Sequence, residues 1–237
     1  MGCDSDKECQ DLENWSSFKL DELNSKLGEH LEDEVYIYTM TTTILSKDTN
    51  TIKHIGSGPN LEGGLATLCT CKHWMRQSRP ETWEGKWILG LTSRAKSNGF
   101  EGEHFFFYLM KVEKGFESHQ ALFKYLDEKN SNALQIKNAV ENPLGDIFKP
   151  KSPCADPLDP KMYEDPCKNH SHGGDQWHDD IIYKNKSTPL LLGDVNHTFV
   201  WTKPLIKFKE NRGSGSKKME LREILSSDFV EGWNCLR

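Results

Sequence analysis

The sequence predicts an α+β protein with a curved, partly closed and mostly antiparallel sheet and short flanking helices. Six or so segments are rich in β-branched and aromatic residues, and three or four short segments space their apolar residues as helices do. Only 35% of the 237 residues are hydrophobic, and the mean hydropathy is −0.70. That composition favours a modest core with long polar connections over a doubly wound sheet buried on both faces.

The predicted order begins with a helix and a strand. Apolar residues in "SSFKLDELNSKLGEH" follow helical spacing, with Ser16 or Ser17 as the N-cap and Gly28 as the stop. Alternating β-branched and aromatic residues in "EVYIYTMTTTIL" predict a strand over residues 35–45. Residues 46–64 are rich in turn formers, so we expect them to form a loop.

Three strands and two helices follow. "LATLCTC", "KWILGLTSR" and "EHFFFYLMKVEK" predict strands, and the continuous apolar centre of the third predicts burial on both faces. "SHQALFKYLDEK" predicts a helix capped by Ser118. "NALQIKNAVEN" predicts a second helix, which ends at Pro143.

The remaining chain divides into an irregular segment and a last group of elements. Residues 143–180 are rich in proline, aspartate and histidine without periodicity, which is typical of a functional or a disordered loop. "DDIIYK" and "HTFVWTKPLIKFK" predict strands, and "KMELREILSS" predicts a short helix. We therefore expect a central domain over 35–209, an acidic extension over 1–34 and a basic tail over 210–237.

Charge is distributed unevenly along the chain. The net charge is −6, but residues 1–34 contain eleven acids and three lysines, so the remainder carries +2. Basic residues outnumber acids by six to two over 72–96 and by seven to three over 203–223. Two such neighbourhoods suit contact with phosphate groups, and a solvated lysine face explains the same counts equally well.

Targeting and cysteine usage indicate a cytoplasmic protein without a membrane partner. No run approaches the roughly 20 apolar residues that a membrane-spanning helix needs, and the N-terminal residues show no apolar signal core. The seven cysteines are scattered and odd in number, which favours reduced thiols over a disulfide framework.

One cluster of chemically versatile residues lies in "TLCTCKHW". If this strand continues, Cys69, Cys71 and His73 share one face, while Thr70 and Lys72 share the other. The first face offers three zinc ligands. However, C-x-C on one strand is poor chelate geometry, and buried cysteine is common in ordinary cores, so the pattern favours packing over metal.

A second cluster lies in the irregular segment. Neutral imidazole and thiolate are the ligands that zinc prefers. Five such residues fall within 25 positions: Cys154, Cys167, His170, His172 and His178. Three aspartates accompany them: Asp175, Asp179 and Asp180. Because the spacing matches no specific ligand pattern, an inert loop or histidines acting as general acid or base explain it as well.

Tryptophan and arginine form a third cluster. Aromatic faces stack on nucleobases while guanidinium groups hold phosphates. Both residue types crowd into one stretch: Trp74, Arg76, Arg79, Trp83, Trp87 and Arg94. For any single tryptophan a core position is the simpler interpretation, whereas the cluster as a whole fits a base-stacking site. Common enzyme signatures, namely a P-loop, a dinucleotide-binding glycine motif, a nucleophile elbow and H-E-x-x-H, are absent.

Four motifs lie between about residues 35 and 205: a G-x-x-P-N turn, a T-L-x-T-C-K strand, a G-x-W strand with a later glycine and serine, and an M-K-V strand before a helix. Their positions are Gly56, Pro59, Asn60, Thr67, Leu68, Thr70, Cys71, Lys72, Gly85, Trp87, Gly90, Ser93, Met110, Lys111 and Val112. In these motifs the segment resembles the second type of nucleotide-modification-associated domain. A further family segment, G-D followed by two hydrophobic residues and tyrosine, matches either "GDIF" at 145–148 or "DDIIY" at 179–183.

The resemblance implies an association with nucleotide or DNA modification, without implying a reaction. In pattern only, the strand order also resembles the PUA-like barrels, including the YTH, EVE and ASCH domains, which hold one base in an aromatic pocket. Together these resemblances imply a protein that binds a nucleotide, or a flipped and modified base of a nucleic acid. The expected binding residues are Asn60, Thr70, Lys72, Trp74, Arg76, Trp87, Ser93 and Arg94.

The alternative is a nucleotide-modifying enzyme. In it Cys71 is a nucleophile, or histidines of the irregular segment work with Asp146 or Asp180 in acid–base or zinc-assisted chemistry. Lys72 activates the thiol only if the two side-chain ends converge, and strand alternation places them on opposite faces. The sequence therefore ranks binding above thiol catalysis. It leaves the catalytic group open among Cys71, His178 and Asp180, and zinc is the one cofactor it suggests.

Overall fold

The structure is a computed structural model that describes residues 17–55, 58–138, 147–154, 156–165, 174–184, 186–210 and 216–232. Mixed helix and strand content with an antiparallel-rich, curled sheet confirms the predicted α+β fold class. The chain divides into two compact units. Unit 1 takes its described residues from Ile55–Glu84 and Val112–Val195, and unit 2 from Leu12–His54, Gly85–Lys111 and Asn196–Arg237.

The described residues form four α-helices and ten strands. The helices are α1 (Leu20–Leu27), α2 (His119–Lys129), α3 (Ser131–Lys137) and α4 (Leu221–Ile224). The strands are β1 (Glu34–Thr39), β2 (Thr43–Ser46), β3 (Thr51–His54), β4 (Thr67–Leu68), β5 (Trp87–Leu91), β6 (His104–Phe116), β7 (Leu190–Val200), β8 (Ile206–Phe208), β9 (Lys217–Glu220) and β10 (Val230–Gly232). Short 3-10 turns at Gly28–His30 and Gly174–Asp180 carry residues of the sites described below.

Unit 2 is built on an apolar sheet. β1 pairs in parallel with β5 and antiparallel with β9, and β5 pairs antiparallel with β6. β8 pairs with β6 and with β10, while β2 and β3 form a separate hairpin. The helix α1 packs Leu23 and Leu27 onto the core that includes Val35, Trp87 and Leu89. Burial of these large side chains supplies the main stabilisation of the unit.

Unit 1 combines helices with a short strand pair. β4 pairs antiparallel with the first residues of β7. The helix α2 is capped as predicted, because the Ser118 hydroxyl accepts the Ala121 N–H at 3.2 Å. Its buried Leu122 and Leu126 join a core that also holds Cys69. A second group of buried residues comprises Phe148, Tyr163, Trp177 and Ile181.

The strongest predicted elements are confirmed. β5 and β6 lie where the sequence predicts them, and all β6 residues from His104 to Met110 are buried, as the continuous apolar run requires. The helix α3 also forms, but its predicted end at Pro143 lies outside the described residues. No helix within those residues is long and apolar enough to cross a membrane.

Several predicted boundaries are wrong. The predicted strand over 35–45 divides into β1 and β2, and the Thr43 hydroxyl donates to the Met40 carbonyl in the intervening turn. The predicted loop over 46–64 contains β3. The N-cap of α1 is Lys19 instead of Ser17, and the Glu22 carboxylate accepts the Lys19 N–H. Ser16 lies outside the described residues.

Two further strand predictions are wrong. "DDIIYK" belongs to the 3-10 turn that ends at Asp180 and to the turn after it, with one isolated bridge between Tyr183 and Lys186. "HTFVWTKPLIKFK" is interrupted between β7 and β8, and β7 begins earlier, at Leu190. The boundaries at 34 and 209 stay predictions; α1 and β9, which lie beyond them, belong to unit 2.

Candidate functional site

The chain leaves β4 at Leu68 and forms a loop in unit 1. Lys72 has φ +59°, a left-handed conformation that no extended strand adopts. The Lys72 carbonyl then accepts the N–H groups of Met75 and Arg76 in a turn. The predicted strand alternation, with Cys69, Cys71 and His73 on one face and Thr70 and Lys72 on the other, is therefore wrong.

Arg76 holds this loop in place. Its Nε and Nη2 donate to the Cys71 carbonyl at 3.1 and 2.8 Å, and Nη2 also donates to the Cys69 carbonyl at 2.7 Å. Its Nη1 donates to the Pro189 carbonyl, just before β7. The side chain is completely buried. The predicted role of Arg76 in holding phosphate does not fit this position, because its guanidinium is bound by main-chain carbonyls.

His73 and Asp180 form the central contact of the candidate site. His73 Nε2 lies 3.0 Å from Asp180 Oδ1, an ion-pair distance, with the carboxylate fully buried and the imidazole 11% exposed. The two atoms are too poorly aligned for a hydrogen bond, so the contact is electrostatic. The His73 ring also stacks on Tyr183, with centroids 5.3 Å apart. A buried carboxylate thus sets the position of a partly exposed imidazole.

His119, at the start of α2, is the second histidine of the site. It is 1% exposed, its Nδ1 accepts the Phe148 N–H at 3.1 Å, and its ring stacks on Phe148. Loss of hydration on burial lowers the pKa of His119 to about 3, with Arg76 and His73 acting in the same direction and Asp180 opposing them. His119 is therefore neutral near pH 7 and carries its proton on Nε2.

These four groups form one electrostatic cluster, which we call the histidine–aspartate cluster: His73, Arg76, His119 and Asp180. The charges of the other three all act on His119. They come from three places in the chain: the loop after β4 supplies His73 and Arg76, the first turn of α2 supplies His119, and the 3-10 turn Gly174–Asp180 supplies Asp180. A buried histidine with a lowered pKa and three charged or ionisable groups acting on it marks a candidate functional site.

Three residues beside the cluster add polar groups. Thr70 is buried, and its Oγ1 makes no hydrogen bond to a described residue. Lys72 is half-buried; loss of hydration lowers its pKa, while interaction with Cys71 raises it. The separation of the Lys72 and Cys71 side-chain ends stays a prediction, although the strand alternation on which it rested does not form.

A cleft of about 380 Å³ lies in the same unit. It is lined by Gln77, Ser78, Arg79, Pro80, Glu117, Ser118, Pro157, Leu158, Ser187 and Pro189. Gln77 follows Arg76 in sequence, Ser118 precedes His119, and the Pro189 carbonyl binds the Arg76 guanidinium. The cleft therefore shares its walls with segments that carry the cluster, and its volume is in the range of small-ligand sites.

The predicted nucleotide-binding residues divide between the two units. In unit 1, Asn60 is buried and accepts the Lys137 ammonium through its carbonyl at 2.8 Å and its Oδ1 at 3.2 Å. Trp74 is 46% exposed. The remaining predicted residues, Trp87, Ser93 and Arg94, belong to unit 2.

In unit 2, Trp87 is a core residue. Its ring is 0% exposed and packs parallel to Phe199, while its indole N–H donates to Asp33 at 3.0 Å. Ser93 is buried and its hydroxyl accepts the Ala95 N–H, whereas Arg94 is exposed. The predicted stacking of Trp87 on a base does not fit this position, because protein side chains already cover the ring.

The predicted metal ligands are only partly described. Cys154 is exposed and His178 is partly buried. Cys167, His170, His172 and Asp146, together with the side chain of Asp175, lie outside the described residues. Among the side chains that are described, no three of His, Cys, Asp or Glu are placed to hold a metal ion.

Two residues of the candidate site were not predicted from the sequence. His119 could have been noticed as a histidine on the apolar face of α2, because it shares that face with Leu122 and Leu126. Tyr183 lies in the "DDIIY" segment, whose assignment as a strand hid its contact with His73.

Comparisons of the chain with family models, with curated proteins and with solved structures found no match in any of the three.

Proposed function

We propose that unit 1 binds a nucleotide or a nucleobase-bearing ligand and transfers a proton to or from it through His73. The contact between the buried Asp180 carboxylate and His73 Nε2 carries the proposal. The negative charge of a carboxylate at this distance favours the tautomer with a proton on the facing nitrogen, Nε2. The lone pair of Nδ1 is then the general base, and a protonated Nδ1 is the general acid.

The surroundings of His73 support a ligand of this class. Lys72 and Trp74 flank it in sequence and Trp74 is exposed, so the same loop supplies a cation and an aromatic face. The buried Thr70 hydroxyl has unused hydrogen-bonding capacity among the described residues. The resemblance to nucleotide-modification-associated domains points to the same ligand. A cytoplasmic location belongs to this proposal and is supported by the scattered, odd-numbered cysteines of the sequence.

A nucleotide panel tests the proposal. Mononucleotides, triphosphates and short single strands with modified and unmodified bases are assayed for binding and for chemical change. Asp180→Asn and His73→Gln are expected to lower turnover by about 100-fold or more while leaving ligand affinity within a few-fold. Asp179→Asn alters an exposed neighbour and is the matched control. Turnover that survives His73→Gln contradicts the proposed role.

A second candidate function is ligand recognition without chemistry. The exposure of Trp74 favours it, because an exposed indole offers a face for base stacking. Trp74→Ala is then expected to lower affinity for single-stranded oligonucleotides by roughly tenfold. Wild-type protein that binds the panel without changing any member selects this function. Protein that neither binds nor changes any member overturns both candidates.

A further inference from the structure

A second group of ionisable side chains lies in unit 2 and has no part in the proposed function. His30, in the 3-10 turn after α1, contacts Asp33 just before β1 and Lys111 on β6. His197 on β7 meets the His30 ring edge to face, with centroids 4.9 Å apart. Trp87 on β5 donates to Asp33 and lies beneath the Lys111 ammonium.

A single nitrogen atom of His30 faces two incompatible partners. Its Nδ1 is 3.0 Å from Asp33 Oδ2, which only accepts hydrogen bonds, and 3.3 Å from Lys111 Nζ, which as an ammonium only donates them. When Nδ1 has a lone pair it can accept from Lys111 and cannot bond Asp33. When Nδ1 carries a proton it can donate to Asp33 and cannot bond Lys111.

The two bonds connect different parts of the chain. The bond from Lys111 ties the turn after α1 to β6, so it is a long-range contact. The bond to Asp33 stays within three residues of the same turn. Lys111 has an alternative partner in Asp33, at 3.7 Å. Protonation of Nδ1 would therefore move the Lys111 contact along the chain, from the end of α1 to the start of β1.

We infer that His30 is a proton-operated tether for α1. At neutral pH its Nδ1 accepts the Lys111 ammonium and holds the 3-10 turn that follows α1 against β6. In acid the imidazolium donates to Asp33, Lys111 transfers to the same carboxylate, and this turn loses its long-range hydrogen bond. Leu23 and Leu27 keep the helix packed in the core, so the change is a local loosening.

The charges around His30 are consistent with an accessible proton. In the described residues the facing groups are Glu29, whose Oε1 is 3.8 Å from Nε2, and Asp33, Lys111 and His197. The two carboxylates accept hydrogen bonds and the Lys111 ammonium donates them. The His30 side chain is 14% exposed, so water reaches the ring.

Nitrogen NMR of the histidine rings tests the first half of the inference. The Nδ1 resonance of His30 is expected to report a lone pair at pH 7.5 and a bound proton at pH 5. A protonated Nδ1 at both pH values would mean that His30 always donates to Asp33, and it would overturn the inference. This measurement uses the wild-type chain and does not depend on any variant folding.

Amide exchange tests the second half. Protection factors in the last turn of α1, corrected for intrinsic rates, are expected to fall about fivefold between pH 7.5 and 5. In Lys111→Met this ratio should approach one, because the donor is missing at both pH values. His197→Gln leaves both His30 bonds in place and should retain the wild-type ratio. A Lys111→Met chain that keeps the fivefold change contradicts the tether.

Discussion

Unit 1 and unit 2 bury different kinds of side chain. Unit 2 is filled by aliphatic and aromatic residues around Trp87, and its polar contacts lie mostly at partly exposed positions. Among the described residues, every buried Arg, Lys or Asp side chain lies in unit 1: Arg76, Lys137 and Asp180.

This contrast associates unit 2 with a stabilising apolar core and unit 1 with the buried charges of the candidate site. Removing a charge from water costs several kcal/mol per ion, so buried charges persist only where hydrogen bonds satisfy them. Arg76 and Lys137 meet this condition with oxygen acceptors, and both hold loops that carry candidate site residues. The apolar unit 2 contributes a conventional core. Chemistry is therefore to be sought in unit 1, and the following experiments challenge this division.

The largest expected effect concerns two tryptophans. Trp87→Ala should destabilise unit 2 by about 4 kcal/mol, because it empties a buried site and removes the hydrogen bond to Asp33. Trp74→Ala should change stability by less than about 0.5 kcal/mol, because that ring is exposed. Denaturant unfolding of the two variants measures both. Similar losses would show that Trp74 is also structural.

A buried charge in unit 1 gives the next effect. Arg76→Met should destabilise by about 3 kcal/mol, because the carbonyls of Cys69, Cys71 and Pro189 lose their donors. Arg79→Met, at an exposed neighbouring position, is the control. Urea unfolding compares the pair, and a neutral Arg76→Met would mean that apolar packing replaces the ion without loss.

Alanine substitutions at two glycines, Gly115 in unit 1 and Gly90 in unit 2, compare how tightly the backbone is packed in each unit. A Cβ at Gly115 would lie 2.4 Å from the Pro80 carbonyl oxygen, whereas a Cβ at Gly90 would lie 2.2 Å from a ring carbon of Tyr108. Each alanine substitution should cost about 2 kcal/mol. Gly115→Ala should cost more, because main chain yields less readily than a ring. Gly28→Ala meets no atom within 4 Å and is the control in thermal unfolding.

The smallest effect is the pH dependence of His119. Its pKa is about 3 when folded and about 6.5 when unfolded, so the unfolded chain binds more protons between these values. The contribution of His119 to the free energy of unfolding is therefore fully present above about pH 6.5 and is lost as the pH falls towards 3. Between pH 7.5 and 5.5 this loss should amount to about 1 kcal/mol. His119→Gln should flatten that decline in unfolding measurements at both pH values. An unchanged decline would assign it to other groups.

The sequence predicted the parts of the fold that local patterns determine. β5, β6 and α2 follow from apolar runs and from the Ser118 cap. The prediction that a strand continues through Cys71 is wrong, because the Arg76 side chain binds the carbonyls of the loop and no local sequence pattern encodes that contact. The candidate site could be predicted only in part. The sequence indicates Asp180 as a candidate catalytic residue, but its partner His73 lies far away in sequence and contacts it only in the folded chain.

Arg76 has a consequence for how this sequence can evolve. Its guanidinium binds main-chain oxygens of Cys69, Cys71 and Pro189, so the side chains at those positions can change without breaking the contacts. Every residue type presents the same main-chain carbonyl, so no substitution at Cys69, Cys71 or Pro189 could supply the donor that is lost with Arg76. Among related chains, position 76 is therefore expected to stay arginine while positions 69, 71 and 189 vary.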